Sequence, residues 1–144
     1  MSNLISKENE VYYINHHGVK HGECKEFSSF GTRLISISNF EDGVRQGIRT
    51  YYGEDRSIIA EYHYVNGKRH GECKNFHDNG KVGIKQNYKD GMRHGKRYEY
   101  DSDGVLVYVG LYFEDKEIIV DVLTLSEADY AYIMISGRLP MRGW

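Results

Sequence analysis

The sequence predicts an all-β protein: a single-layer antiparallel β-meander of hairpin repeats closed by a short C-terminal capping helix. Two observations carry this reading. A glycine-bounded turn recurs as His17-Gly18-Val19-Lys20-His21-Gly22, Asp42-Gly43-Val44-Arg45-Gln46-Gly47, Asn66-Gly67-Lys68-Arg69-His70-Gly71 and Asp90-Gly91-Met92-Arg93-His94-Gly95, with first glycines 25, 24 and 24 residues apart. Such a fixed period marks a repeat protein. The apolar content is aromatic in kind, thirteen Tyr and five Phe against seven Leu, which suits pleated surfaces better than helix bundles.

Each turn copy reads as a hairpin, because two glycines around a short polar run admit positive φ at little steric cost. A second turn signal follows at Gly31, Gly80 and Gly104, with Arg56 in that place in the second copy. Asn79-Gly80 and Asp103-Gly104 read as two-residue hairpin turns. Two turns in about 24 residues leave two short strands per repeat, so the chain meanders.

Taken in order, residues 1–10 are polar and are expected to be a flexible N-terminus, with ordered structure starting near Val11 and Tyr12. The repeat sheet is expected over 11–116, as four repeats and a partial fifth. In its first copy Asn15 stands where later copies carry an aromatic, as suits an end cap. Phe40, Tyr64 and Tyr88, three residues before each turn glycine, should stack as a ladder on one face, with Asn39, His63 and Asn87 on the other. A second ladder, Phe27, Tyr52, Phe76 and Tyr100, follows each second glycine by five residues. Both ladders read as buried sheet core.

Residues 117–144 form a differently textured C-terminal cap. Glu117 to Val122 could add one strand, and Ser126-Glu127-Ala128-Asp129 has the pattern of a helix N-terminus. A helix over 127–136 places Tyr130, Ile133 and Met134 on one side, with Gly137 as its C-cap and Pro140 preventing resumption. The helix is expected to cover the open last edge of the sheet. The alternative gives the tail a contact role, with Leu139, Met141 and Trp144 as candidate partner or dimer contacts.

Net charge is −2 with both signs interspersed, so nucleic acid is not an expected partner. Apolar runs are too short to span a bilayer and no secretory leader pattern precedes the first repeat, so a soluble cytoplasmic protein is expected. Cys24 and Cys73 hold equivalent places two repeats apart and should be free thiols. The repeated histidines lie too far apart to share a metal ion and should instead bond the turn backbone. No nucleophile elbow, phosphate-binding glycine loop or His-Glu metal helix is present, so no catalytic residue, metal or cofactor is expected.

One row carries a binding hypothesis: Lys20, Arg45, Arg69 and Arg93 recur before each second glycine. They could engage anionic phospholipid or an acidic partner, or be neutralised by Glu23, Asp42, Glu72 and Asp90.

The Asn-Gly-Lys-Arg-His-Gly hairpin, with an aromatic three residues before it and another five after, resembles the MORN repeat over about residues 11–116. The resemblance is to divergent variants in bacterial and viral repeat proteins. Tyr13, Ser38, Tyr62 and Gln86 replace a glycine usual in the first strand, and only Tyr108-Val109-Gly110 restores it. The resemblance implies a non-enzymatic protein-interaction module or scaffold; the alternatives are a peripheral phospholipid binder and an antitoxin-type neutraliser of a partner protein. It also allows a homodimer.

Overall fold

The structure, a computed structural model, describes residues 3–141. Twelve strands form one antiparallel sheet. They are β1 (Asn3–Lys7), β2 (Glu10–Ile14), β3 (Lys20–Phe27), β4 (Leu34–Glu41), β5 (Val44–Arg45), β6 (Gly47–Tyr52), β7 (Ile58–Val65), β8 (Lys68–Phe76), β9 (Val82–Lys89), β10 (Met92–Tyr100), β11 (Leu106–Phe113) and β12 (Lys116–Glu117). Their spatial order follows the chain, with β5 pairing β4 beside β6. One α-helix among the described residues, α1 (Glu127–Ser136), follows the last strand. No helix among the described residues is long and apolar enough to cross a membrane.

The sheet begins at Asn3 rather than near Val11. β1 pairs with β2 along its whole length, and Ile5, its one half-buried residue, packs on the buried cluster of Tyr12, Cys24 and Phe40. That contact gives the polar N-terminal stretch a reason to join the sheet.

The two glycines of each repeat divide the labour. In the second to fourth copies the first closes a two-residue turn whose central residues both take positive φ, Asn66 at 51° with Gly67 at 81°, as also at Asp42-Gly43 and Asp90-Gly91; in the first copy only Gly18 does, and Asn15 N donates to Val19 O across three residues. The two-residue conformation matches the twist of the flanking strands. The second sits in a bulge: Gly71 has φ 83°, and the partners Tyr62↔Cys73 and Tyr64↔Arg69 leave three residues opposite His63. The last turn, Glu114-Asp115, adopts positive φ of 46° and 69° without a glycine.

The turns at the other end differ from the expected two-residue form. At Gly80 and Gly104 only the glycine has positive φ, and His77 N donates to Lys81 O while Asp101 N donates to Val105 O. Three-residue loops win because Asn79 Oδ1 accepts from Lys81 N and Asp101 Oδ1 accepts from both Asp103 N and Val105 N.

Past the repeats, the strand expected over 117–122 is reduced to β12, which pairs Lys116 with Phe113 and Glu117 with Tyr112. The chain then turns inward because Val122 is drawn into a cluster with Leu111 and Ile133, and Asp121 caps a short 3-10 turn over Val122–Thr124. Helix α1 has the expected bounds. Ser126 Oγ accepts from Asp129 N, and Gly137 closes it in the left-handed conformation. Its placement differs from an edge cover: Ile133 lies against Leu111, with Tyr130 and Met134 beside them. A Cβ on Gly95 would stand 3.3 Å from the Tyr130 hydroxyl, so the helix lies over a face of β10 and β11. The apolar side chains on that face make face packing favourable.

Candidate functional site

Alternation along the strands sorts the side chains into rows that cross the sheet. One row runs Tyr12, Cys24, Ser38, and continues through Arg49, Tyr62, Cys73, Gln86 and Arg97 to Gly110. Cys24 and Cys73 are buried free thiols in this row, four strand spacings or about 19 Å apart. Burial pushes both thiols above their ordinary range.

The first aromatic ladder occupies the neighbouring row. Phe40, Tyr64, Tyr88 and Tyr112 each pair with the second glycine of the preceding repeat: Gly22, Gly47, Gly71 and Gly95. The rings do not stack directly on one another, because the basic row is threaded between them. Lys20 Nζ lies 4.6 Å from the Tyr12 ring centre and 5.2 Å from Phe40, and Arg45 lies 4.9 Å from Phe40 and 5.3 Å from Tyr64. Arg69 lies 4.4 Å from Tyr62 and 5.4 Å from Tyr88, and Arg93 lies 4.7 Å from Tyr112. Cation on ring contributes about 0.5–1 kcal/mol where exposed and more where water is excluded. The glycine opposite each ring leaves room for this arrangement.

Three of the four charges of that row are met by other carboxylates than those expected, while Arg69 donates to the Tyr88 hydroxyl at 3.4 Å. Lys20 pairs with Glu10 at 3.0 Å, Arg45 with Glu26 at 3.7 Å and Arg93 with Asp115 at 3.3 Å. Asp42 and Asp90 instead face His21 and His70, while Glu23 and Glu72 face Lys25 and Lys74. Glu26 also receives Arg49 at 2.5 Å and the hydroxyl of the fully buried Ser36 at 2.9 Å. Glu10, Cys24 and Glu26 bring ligand atoms within 4.8 Å of one another. The ammonium of Lys20 and the guanidiniums of Arg45 and Arg49 already balance their charge, so the donor set suits internal ion pairs better than a metal.

The second ladder, Phe27, Tyr52, Phe76 and Tyr100, is half-buried and pairs with Leu34, Ile58, Val82 and Leu106, beside a 3-10 loop at Phe27 and three-residue turns at the other three. The repeated histidines bond the next repeat's turn backbone. His21, His70 and His94 Nδ1 accept from Asp42, Asp90 and Glu114 N at 3.2, 3.4 and 3.4 Å, and Gln46 Oε1 accepts from Asn66 N at 2.9 Å. A parallel set of bonds joins the carbonyls of the basic row to the same turns. Gly43, Gly67, Gly91 and Asp115 N donate to Lys20, Arg45, Arg69 and Arg93 O at 2.7–2.9 Å. Each repeat thereby clamps the turn of the following one.

No family model matches the chain, and no curated protein matches it.

Of the tail candidates, Leu139 and Met141 are exposed, and Trp144 lies outside the described residues. Sequence reasoning missed a neighbouring feature, the outer side of β11. Beyond Tyr112 and Phe113, which pair with β12, and Leu111 O, which accepts from Ile118 N, no described strand pairs with Leu106–Gly110 on that side. Leu106–Val109 and Val120–Leu123 border a groove of about 220 Å³ along it. Val107 is 61%, Ile119 81%, Leu123 76% and Ile135 84% exposed. The signal lay in Leu106-Val107-Tyr108-Val109, an apolar run with no charge to guard an edge.

Proposed function

We propose that the chain is a MORN-like, non-enzymatic module that binds another protein at the C-terminal end of its sheet. The observation that carries this reading is the unpaired apolar half of β11. An unpaired strand edge beside exposed apolar side chains is suited to receive an extended segment, with main-chain hydrogen bonds giving affinity and flanking apolar contacts giving selectivity. The regular repeats behind it serve as a rigid platform.

The basic row supports lipid binding less well. Its cations are half-buried between aromatic rings, and three of them already have carboxylate partners.

The test uses backbone chemistry. Leu111 turns its carbonyl outward to Ile118, and the unbroken register from Tyr108 to Tyr112 puts the backbone groups of Val109 on the same side, whereas a bulge at Val107 interrupts the alternation. Val109→Pro removes one outward N–H and leaves the β10 side of the strand paired. Affinity capture from the native host should yield a stoichiometric companion with the wild-type chain and at least about tenfold less with V109P, the equivalent of one lost hydrogen bond in a dry interface. Equal capture by both chains sinks the proposal, provided circular dichroism shows both folded. Light scattering on the purified chain shows whether the companion is a second copy.

A further inference from the structure

A second surface stands apart from that edge and has a different chemistry. Lys74 and Lys85 are directly opposite each other in the β8–β9 register. Like charges in such a pair repel, and the sequence makes this choice at one place among the equivalent pairs of the repeat. The corresponding pairs are Lys25 with Ile37, Thr50 with Glu61 and Tyr98 with Val109. The period of the fold therefore does not require two lysines here.

The surroundings concentrate the positive charge. Lys81, on the adjoining three-residue turn, lines the same cleft of about 580 Å³ as Lys74 and Lys85, with Tyr100 and Val82 as its apolar wall. This volume falls within the range of small-molecule sites. Lys85 is half-buried, its ammonium 5.2 Å from the Tyr98 ring centre and 5.9 Å from Tyr100. Among the described residues neither Lys81 nor Lys85 has a carboxylate within salt-bridge distance. Lys81 Nζ donates to the carbonyl of Asp103 at 3.2 Å, while Lys74 is shared with Glu72 at 3.2 Å and faces Glu61 across β7. Asp103 also lines the cleft and lowers its potential.

We propose that this cleft binds a phosphate-bearing anion, with the phosphate between Lys74 and Lys85, Lys81 closing over it, and the organic portion against Tyr100 and Val82. Ammonium groups act on phosphate as mobile point charges with three donors each, so a converging trio accommodates a multiply charged group without a fixed fork. Binding draws Lys74 away from Glu72 and relieves the repulsion between Lys74 and Lys85. This proposal is independent of the protein-binding role of the β11 edge.

The test is an amide-resolved NMR titration at low and moderate salt. One arm uses soluble inorganic pyrophosphate and inositol trisphosphate. The other uses phosphatidylcholine vesicles with and without phosphatidylinositol bisphosphate, read by co-sedimentation. A soluble ligand gives saturable shifts confined to the 72–76, 80–85 and 100–104 segments; a lipid headgroup gives sedimentation only with the phosphorylated lipid. Lys85→Gln should weaken either response about tenfold, the loss of one charge-assisted contact, while Asp103→Asn should strengthen it severalfold. Unchanged spectra outside the cleft show that the variants fold. Absence of response in both arms, unsaturable shifts at lysines across the surface, or equal binding by Lys85→Gln overturns the proposal.

Discussion

A histidine before a glycine does a backbone task here. His70 Nδ1 accepts from Asp90 N, and in the second repeat Gln46 fills the same role with an amide oxygen. The shared property is an acceptor held at the right reach, so His70→Gln should unfold in urea close to wild type. His70→Ala should lose about 0.5 kcal/mol, the low end for a hydrogen bond because the site is half exposed. Equal loss in both variants would assign the histidine to packing instead. The buried cysteines set a pH limit. Their thiols titrate above the ordinary value of 9.0 in the folded chain because burial disfavours the thiolate, with Lys20 opposing this at Cys24, and a backbone hydrogen bond from His63 and then Arg69 opposing it at Cys73. A folded value above the unfolded one leaves this stabilisation complete below the ordinary thiol range and removes it as pH rises through the folded values. The urea midpoint should therefore fall above about pH 9, and fall less in the Cys24→Ala, Cys73→Ala double variant. Iodoacetamide should label both thiols slowly until the chain is unfolded.

At the level of elements, α1 depends on a small contact set, which makes it the easiest part to detach. Ile133 is fully buried against Leu111 and Val122, so Ile133→Ala should cost about 2–5 kcal/mol in the C-terminal cap. Gly137 has φ 69°, and an added Cβ would lie 2.7 Å from two ring atoms of Phe113. Gly137→Ala should therefore also loosen the cap. In both variants hydrogen exchange should accelerate over 127–136 while β6–β9 remain protected; uniform acceleration would show that helix and sheet unfold together. The helix was legible because Ser126, Asp129 and Gly137 act locally, through caps that sequence spacing alone specifies. The turn dipeptides Asp42-Gly43, Asn66-Gly67 and Asp90-Gly91 were legible for the same reason. The strand at Asn3–Lys7 was not, since its pairing depends on Ile5 meeting Tyr12 across the sheet. Nor was the interleaving of Arg45 between Phe40 and Tyr64, which requires knowing that Gly47 opens space opposite Tyr64. Likewise Lys74 and Lys85 look unrelated until the register sets them face to face.

The whole molecule follows from nearest-neighbour contacts. Excising residues 43–66 would join Asp42 directly to Gly67, preserving an Asp-Gly turn and placing Cys73 opposite Ser38, where Arg49 stood in register. The shortened chain should keep its β-type circular dichroism and a cooperative urea transition, with a smaller m-value in keeping with the surface removed and a lower midpoint. A disordered product would show that the repeats are not interchangeable. The same strand order has a mechanical consequence. Since chain order is spatial order, β1 and the C-terminal cap stand at opposite ends of the array. A tether pulling on the two ends peels outermost strands one after another, and each clamp from one turn to the next must open in succession. The molecule is thus built to yield in increments under tension, like a folded strap, and to re-form from whichever strands stay paired.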